Sequence, residues 1–453
     1  MLKTQKYIIC SLLAVLFLLI NFASAETIGE IDKKNSSSSG LSFSKLRSLT
    51  STINEIDYFD FIRISVVTQP EYLYANSNVL EKNEILKFSK RKRFPELNVR
   101  VINDRVLDRD VDDLTSIRKR QDDSFDAAVE FSQPIYTGGA INAEIRKSNN
   151  LRSISEIEKD SAMSNLILDA NRIYLSTVKS DLLYTYGLTI IEEMEPYLEK
   201  VKERVQLGIT DPIELALFSI KFNELKSKIQ ILNTERSRDI GIFEYFFREK
   251  FQNYSLPEVF VPNVIINKGS EAYEVRTSRL DYKASLEDTK IVRSEFLPKF
   301  GFNTRYTSYD LNKDTNESDI RGGIYFSMPI FTFGRGSAKV SASKAKANAT
   351  KMSIDMMRKE DETSETELVN IVKSAINTRE EIYLSFLDTQ NQRRIIRDRL
   401  DSTNYSTEAY VDSGLKELLL LERFLTTEIS MLHGYFMFLH QNRELTGYMR
   451  VVP

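Results

Sequence analysis

Two similar stretches decide the fold: "FSQPIYTGGAINAEI" at 131–145 and "FSMPIFTFGRGSAKV" at 326–340. Each passes from an alternating segment through Ser-x-Pro-Ile-aromatic-Thr to glycine, and then to small residues that favour a helix. Proline cannot continue a strand ladder, and glycine accepts the positive φ of a tight turn. The stretches therefore predict two strand-to-helix junctions. The predicted junction residues are Pro134, Gly138, Gly139, Pro329, Gly334 and Gly336.

Landmarks around these junctions recur in the same order. The offset is 203 from Pro95 to Pro298, 195 from Pro134 to Pro329, and 206 from Gly208 to Gly414. Such agreement predicts an internal duplication whose period is far longer than that of solenoids or propellers. The predicted organisation is a signal peptide (1–25), an N-terminal extension or linker (26–69), a first repeat (70–270), a second repeat (271–446) and a C-terminal end (447–453).

The signal-peptide prediction rests on a short basic start, an apolar run from Tyr7 to Ile20, and Ala23-Ser24-Ala25 as a cleavage site. A membrane-anchoring helix is the alternative interpretation of this run. Cys10 is the only cysteine, so a disulfide scaffold is excluded. The net charge of −3 argues against nucleic-acid binding, which favours a concentrated basic face.

Four segments of about ten residues alternate with period two, which predicts strands of membrane-spanning length. One face of 96–101 carries Leu97, Val99 and Val101, and the other carries Glu96, Asn98 and Arg100. The segments 124–132, 299–306 and 320–328 alternate in the same way. An ordinary half-buried sheet is the alternative. Because the polar faces carry charges of both signs, we favour strands around a water-filled lumen.

The remaining chain predicts very long helices over 140–207, 212–250, 337–413 and 415–446. At about 1.5 Å per residue the first would reach about 100 Å. Pro196 predicts a local bend in it. A buried stripe is expected at Leu418, Leu421, Phe424 and Leu425. Arg393, Arg394, Arg397 and Arg399 are expected on a coiled-coil exterior.

No constellation of reactive groups predicts an enzyme, a cofactor or a metal site. The two histidines, His433 and His440, stand seven apart on one helix. A metal or pH-sensing pair is one interpretation of that spacing, and two polar residues in a helix interface or on the helix surface are the simpler one.

Four strands leave two unpaired edges, so the chain is expected to supply part of a shared barrel. Here the sequence resembles the TolC-like outer-membrane efflux and secretion proteins (outer membrane factors). The resemblance covers about 70–446. It rests on the paired junctions, the strand entries at Pro95 and Pro298, and the stretches "RVQLGITDPIEL" and "YVDSGLKELLLLE".

The resemblance implies an α+β membrane protein with four strands per chain. It implies a homotrimer with a twelve-stranded β-barrel in the outer membrane, continued by a long α-helical coiled-coil tunnel through the periplasm. The implied partners are further copies of the chain, a periplasmic adaptor (membrane fusion protein), an inner-membrane transporter (ABC or proton-driven) and outer-membrane lipid.

The same resemblance assigns site residues. The periplasmic tip and adaptor contact would be Leu207, Gly208, Ile209, Ser413, Gly414 and Leu415. The candidate gate comprises Asp211, Glu214, Lys416, Glu417, Leu420 and Arg423. Where the family's archetype carries acids in the pore constriction, this chain has Leu420 and Arg423, so an acidic ring is not implied at these two positions.

The sequence therefore predicts a passive channel-tunnel of a tripartite export system, driven by the transporter through the adaptor. It leans toward type I protein secretion over small-molecule efflux, on the stretch 406–430. A periplasmic or surface coiled-coil structural protein without a pore is the alternative function.

Overall fold

A computed structural model describes residues 58–105, 123–252, 254, 256–257, 259–262, 271–311, 317–400 and 406–451. The predicted signal peptide and most of the predicted linker lie outside the described residues. The helices are α1 (Tyr58–Val67), α2 (Pro70–Arg91), α3 (Ala140–Gln206), α4 (Pro212–Phe247), α5 (Tyr273–Ser294), α6 (Arg335–Arg399), α7 (Thr407–Gln441) and α8 (Leu445–Tyr448). The strands are β1 (Glu96–Arg105), β2 (Asp123–Thr137), β3 (Lys299–Tyr309) and β4 (Glu317–Ser327).

The chain divides into two compact units. The sheet unit comprises the described residues of Gln69–Ala162 and Glu271–Glu362, and the helical unit comprises the described residues of Met1–Thr68, Met163–Ser270 and Thr363–Pro453. Each unit draws segments from both predicted repeats. Along the chain, the order of helix, two strands and two helices occurs twice.

The four alternating segments form one antiparallel sheet in the order β1-β2-β3-β4. Its register places Val99, Val129, Tyr306 and Ile320 in one row across the sheet. The adjacent row is Asn98, Glu130, Arg305 and Arg321. Because neighbouring residues point to opposite faces, one face is apolar and the other is charged.

Four helices have segments in the sheet unit, and each is joined to one strand: α2 to β1, α3 to β2, α5 to β3 and α6 to β4. These helix segments lie side by side in the same order as the strands. Ser89 Oγ of α2 lies 2.9 Å from Ser148 Oγ of α3, and Lys147 Nζ of α3 lies 2.7 Å from Asp288 Oδ1 of α5. Thr289 Oγ1 of α5 lies 3.0 Å from Ser343 Oγ of α6. The helices therefore form a layer ordered α2-α3-α5-α6.

The helical unit has an apolar core between α3, α4, α6 and α7. The predicted stripe Leu418, Leu421, Phe424 and Leu425 is buried there, together with Phe218 and Phe222 of α4. Helix α1 was not predicted: Phe61 and Ile62 are buried, and the Phe61 ring packs against Phe243 and Phe247. Part of the predicted linker is thus a structural helix.

Helix α3 runs from Ala140 to Gln206 with Pro196 inside it, close to the predicted bounds. Helix α6, in contrast, ends at Arg399, where the sequence predicted a helix to residue 413. In the described part of the chain, none of the helices combines the length and the apolar character needed to cross a membrane.

Candidate functional site

The turn between α3 and α4 has the predicted glycine geometry. Gly208 has φ +70°, and its N–H donates to the Val205 carbonyl at 3.0 Å. The Ile209 N–H donates to the Arg204 carbonyl at 2.9 Å. These two bonds form a Schellman motif, in which a left-handed residue, usually glycine, satisfies the last carbonyls of a helix.

Asp211 begins the next helix. It is the N-cap of α4, and its Oδ1 accepts from the Ile213 N–H at 2.9 Å, while Pro212 occupies the first helical position. Both features favour a helix start. The Asp211 carboxylate accepts from a backbone N–H that has no partner within the helix, and Pro212 has no backbone N–H that would need one. Leu207 and Ile209 are 73% and 64% exposed, so the turn presents apolar side chains on its surface.

The prediction of a second glycine turn at Ser413, Gly414 and Leu415 is wrong. These residues lie inside α7, which is continuous from Thr407 to Gln441. Ser413 and Gly414 are buried, and a Cβ on Gly414 would come within 2.4 Å of Met194 Cε of α3. The glycine permits close helix packing, and α6 ends at Arg399 while α7 begins at Thr407.

Glu214, a predicted gate residue, joins the start of α4 to the start of α7. Its Oε1 accepts from the Thr407 hydroxyl at 2.9 Å and from the Thr407 N–H at 3.4 Å. A carboxylate near the first turn of α7 is also favoured by the helix dipole. Thr407 was not predicted as a site residue, because the sequence placed it inside a helix over 337–413.

Lys416 makes a local contact. Its Nζ lies 2.8 Å from Asp412 Oδ2 one turn earlier on α7, and the lysine side chain is 67% exposed. The structure therefore does not bring Lys416 together with Glu214. Leu420 packs against the core of the helical unit, and Arg423 is exposed.

Glu417 lies at the centre of a buried polar network. It is fully buried, accepts from Arg393 Nε of α6 at 2.5 Å, and accepts from the Tyr186 hydroxyl of α3. Arg393 also pairs with Glu193 of α3, and Gln390 donates to the Tyr186 oxygen at 3.2 Å. The network thus ties three helices together.

The network changes the pKa of its members. Burial lowers the pKa of the Arg393 guanidinium, but Glu417 and Glu193 outweigh burial, so its pKa lies above the ordinary value. Burial and the neighbouring Glu417 raise the pKa of the Tyr186 hydroxyl. Arg393 therefore stays charged and Tyr186 stays a hydrogen-bond donor at ordinary pH.

The exterior position predicted for Arg393 is wrong. Phe386, Arg393 and Leu400 stand seven residues apart and are all buried. That heptad spacing was a signal in the sequence that could have indicated an interior position.

A second buried pair lies further along α7. Glu428 is buried, and its Oε2 lies 3.5 Å from Arg379 Nη1 of α6. Burial raises the pKa of Glu428 to about 7, and the Arg379 charge only partly opposes this. Neither residue was predicted from the sequence.

The two histidines on α7 have separate surroundings. His440 Nδ1 lies 2.8 Å from the Ser164 hydroxyl of α3, while burial lowers the pKa of His433. In the described ranges, no group of three or more His, Cys, Asp or Glu side chains is arranged to hold a metal ion.

The first junction differs in detail from the prediction. β2 continues through Pro134 to Thr137, with a bulge between Pro134 and Tyr136. The expectation that the strand stops at Pro134 is wrong. β1 pairs with β2 only as far as Ser132, so Pro134 lies beyond the end of that ladder.

The turn into α3 then uses two glycines. Gly138 and Gly139 have φ +65° and +85°. A Cβ on Gly138 would lie 2.8 Å from the Ser294 carbonyl oxygen, so the backbone approaches α5 closely.

The second junction uses a different left-handed residue. β4 ends at Ser327, before Pro329, and the turn places Phe333 at φ +48° and Gly334 at φ +80°. A Cβ on Gly336 would lie 2.9 Å from the Phe296 ring, so this glycine permits close packing.

A threonine holds the helix start at both junctions. Thr137 Oγ1 accepts from the Ile141 N–H at 3.4 Å, and Thr332 Oγ1 accepts from the Gly336 N–H at 3.3 Å. The repeated threonine thus has a local function that the sequence analysis did not assign.

Solved structures share this fold. The Campylobacter jejuni CmeC outer membrane channel is 14% identical with a TM-score of 0.74, covering 87% of this chain and 89% of CmeC. The Neisseria gonorrhoeae MtrE outer membrane channel is 12% identical with a TM-score of 0.67, covering 85% and 89%. The Vibrio cholerae outer membrane protein VceC is 10% identical with a TM-score of 0.67, covering 83% and 95%.

These likenesses confirm part of the predicted fold: the chain, mostly helical with a four-stranded sheet, shares the fold of these solved outer-membrane proteins. No family model matches the sequence, and no curated protein matches it significantly.

Proposed function

We propose that this chain is one subunit of a homotrimeric outer-membrane channel-tunnel, the passive conduit of a tripartite export system. One observation carries the proposal. An antiparallel sheet with one apolar and one charged face runs directly into helices of 67 and 65 residues, in the fold of outer-membrane channels. Three such sheets would close a twelve-stranded barrel in the outer membrane, with the helices in the periplasm.

Planar-bilayer recording of the purified protein tests this proposal. We expect stable conductance from a trimer that detergent alone releases from membranes. Release without detergent, together with no conductance, would favour the alternative, a coiled-coil structural protein without a pore.

The exposed apolar turn at Leu207, Gly208 and Ile209 is proposed to contact the periplasmic adaptor. Exposed apolar side chains at a tight turn suit a protein interface. Ser413 and Gly414 are left out of this contact because they are buried. Cross-linking from a cysteine at 207 to the co-expressed adaptor is expected, and a cysteine at the exposed position 237 of α4 serves as the control.

The gate is proposed to depend on the contact between Glu214 and Thr407, supported by the network around Glu417. Asp211 would hold the start of α4, Lys416 and Arg423 would border the opening, and Leu420 would pack behind it against the core. We expect Glu214→Gln to raise resting conductance, and Lys416→Gln to raise it less because its partner Asp412 is local. The control Glu199→Gln changes an exposed acid and should leave resting conductance as in the wild type. If Glu214→Gln and Lys416→Gln also leave it unchanged, these two residues do not belong to the gate.

The transported material is proposed to be secreted protein, with small-molecule efflux as the alternative within the same class. Affinity capture of the inner-membrane partner distinguishes them. An ATP-binding transporter would support secretion, and a proton-driven pump would support efflux.

A further inference from the structure

The sheet unit contains a large cavity that the proposed channel function does not use. It has a volume of about 810 Å³ and is lined by one face each of α2, α3, α5 and α6. This volume falls within the range of about 300–1,000 Å³ that is common for small-molecule sites.

The charge of the cavity is strongly positive. Its basic lining residues are Lys90, Arg146, Lys283, Lys290 and Lys344, and its one acidic lining residue is Glu287. Glu287 is already neutralised: Arg146 Nε donates to it at 2.9 Å and Lys290 Nζ at 2.7 Å.

Three lysines remain uncompensated. Within the described ranges, Lys90, Lys283 and Lys344 form no ion pair with an acid, and all three side chains are exposed to solvent at the cavity. They stand on α2, α5 and α6, so three separate helices direct positive charge at one space. An anion placed there would meet each of them without breaking an existing pair.

The rest of the lining is apolar or carries neutral amides, apart from the hydroxyl of Thr289. Leu86, Ile145, Leu286 and Ala347 contribute the apolar surface, with Leu286 39% exposed, and Asn149 and Asn348 contribute amides. A leucine exposed in a concave site favours an apolar ligand body, which a small inorganic anion does not have.

We propose that this cavity binds an anionic amphiphile, with the acidic group held by Lys90, Lys283 and Lys344 and the apolar body resting on Leu86 and Leu286. The inference goes beyond the proposed function, and its test in nanodiscs rests on the membrane insertion that this function implies; a protein that does not enter nanodiscs would count against the channel, whereas an inserted protein that does not bind would count against the cavity. A soluble amphiphile and an anionic lipid share this chemistry, and the experiment distinguishes these two sources.

The test is calorimetric titration of the full-length protein in phosphatidylcholine nanodiscs with taurocholate below its micellar concentration, corrected with empty nanodiscs. We expect saturable binding. The triple variant Lys90→Gln, Lys283→Gln, Lys344→Gln should weaken it about tenfold, since three solvent-facing charge contacts are removed together. The matched control Lys346→Gln, Lys351→Gln, Lys373→Gln changes three exposed lysines of α6 outside the cavity and should leave affinity unchanged.

Three further arms define the ligand class. A zwitterionic detergent with the same steroid body (CHAPS) should be insensitive to the triple variant, and Leu286→Asn should weaken taurocholate binding. If the natural ligand is an anionic lipid, phosphatidylglycerol added to the nanodisc should displace taurocholate. If the natural ligand is a soluble amphiphile, it should not; either result fits the proposal. No saturable binding, equal losses in the two triple variants, or displacement by sodium phosphate as strong as by taurocholate itself would overturn it.

Discussion

Helices α4 and α7 follow the long helices α3 and α6 in the two halves of the chain, but their buried faces carry different residues. Phe222 of α4 and Glu417 of α7 stand 195 positions apart, the same offset as Pro134 and Pro329. They are 1% and 0% exposed. One half fills this position with an aromatic ring, and the other fills it with a carboxylate paired to Arg393.

This difference has energetic consequences. An aromatic ring gains stability from burial alone, whereas a buried carboxylate gains it only while its partners remain in place. We therefore expect the second half to respond sharply to the loss of a partner and to pH, and the first half to respond mainly to steric changes. Four predictions test this comparison, in order of decreasing effect.

Arg393→Met should be the most damaging change. It leaves Glu417 buried without its cation, and should lower the free energy of unfolding by about 3–5 kcal/mol. Chemical denaturation followed by circular dichroism measures it. The exposed neighbour gives the control, Arg394→Met, with an expected effect below about 0.5 kcal/mol.

A double variant separates the ion pair from packing. Arg393→Met with Glu417→Leu should recover most of the loss, because both buried charges are then replaced by apolar groups. If the double variant is as unstable as Arg393→Met, the unpaired carboxylate is not the cause.

Glu428 should make stability depend on pH. Its pKa rises from 4.5 to about 7 on folding, so the folded state holds a proton that the unfolded state has lost between these values. The contribution of Glu428 to the free energy of unfolding is therefore fully present below pH 4.5. It is lost as the pH rises through 7, by about 3 kcal/mol in total.

The measurement is a series of denaturation curves from pH 5 to pH 8. Glu428→Gln should flatten this part of the pH profile, while Glu381→Gln, an exposed acid on α6, should leave it as in the wild type. An identical slope in wild type and Glu428→Gln would assign the pH dependence to another group.

Gly138→Ala tests the steric side of the comparison at the first junction. Its φ of +65° strains any L-residue, and its Cβ would also contact the Ser294 carbonyl and Leu297. We expect a loss of about 2–3 kcal/mol from strain and overpacking together. Gly139→Ala, at φ +85° with open space around it, should lose only about 1 kcal/mol in the same denaturation assay. Equal losses would show that crowding contributes nothing.

Phe333→Gly should have the smallest effect and the opposite sign. Relief of left-handed strain at residue 333 should stabilise the folded state by about 1–2 kcal/mol. Glycine also raises the conformational entropy of the unfolded chain, which offsets about 0.5–1 kcal/mol of that gain. The net gain in unfolding free energy should be about 0.5 kcal/mol. Phe331→Gly is the control, since Phe331 contacts Phe333 and is exposed but lacks a positive φ. A stabilisation of equal size in both variants would point away from backbone strain.

Much of the fold could be predicted because its patterns are local. Alternation indicated all four strands, and the scarcity of glycine and proline over 140–207 gave α3 within one residue of its end. The stripe from Leu418 to Leu425 was predicted as buried because helical spacing alone indicates a face.

The errors share a physical cause, which is that one residue type serves several geometries. Glycine suits a left-handed turn at Gly208 and close helix packing at Gly414, and only the position of Met194 distinguishes the two. Likewise, the place of Arg393 depends on Glu417 and Glu193, which lie on other helices. Candidate site residues therefore needed tertiary contacts that the sequence does not state.

The two outer strands of the sheet have a consequence for how the protein reaches its final form. Among the described strands, β1 pairs only with β2 and β4 only with β3. In the proposed trimer these edges would pair between chains, so the last strand ladders would form by a third-order association. The ratio of trimer to free chain would then depend on the square of the free-chain concentration, so a tenfold fall in free-chain concentration would lower it about a hundredfold. The amount of chain made, as well as its sequence, would decide how much of it is complete.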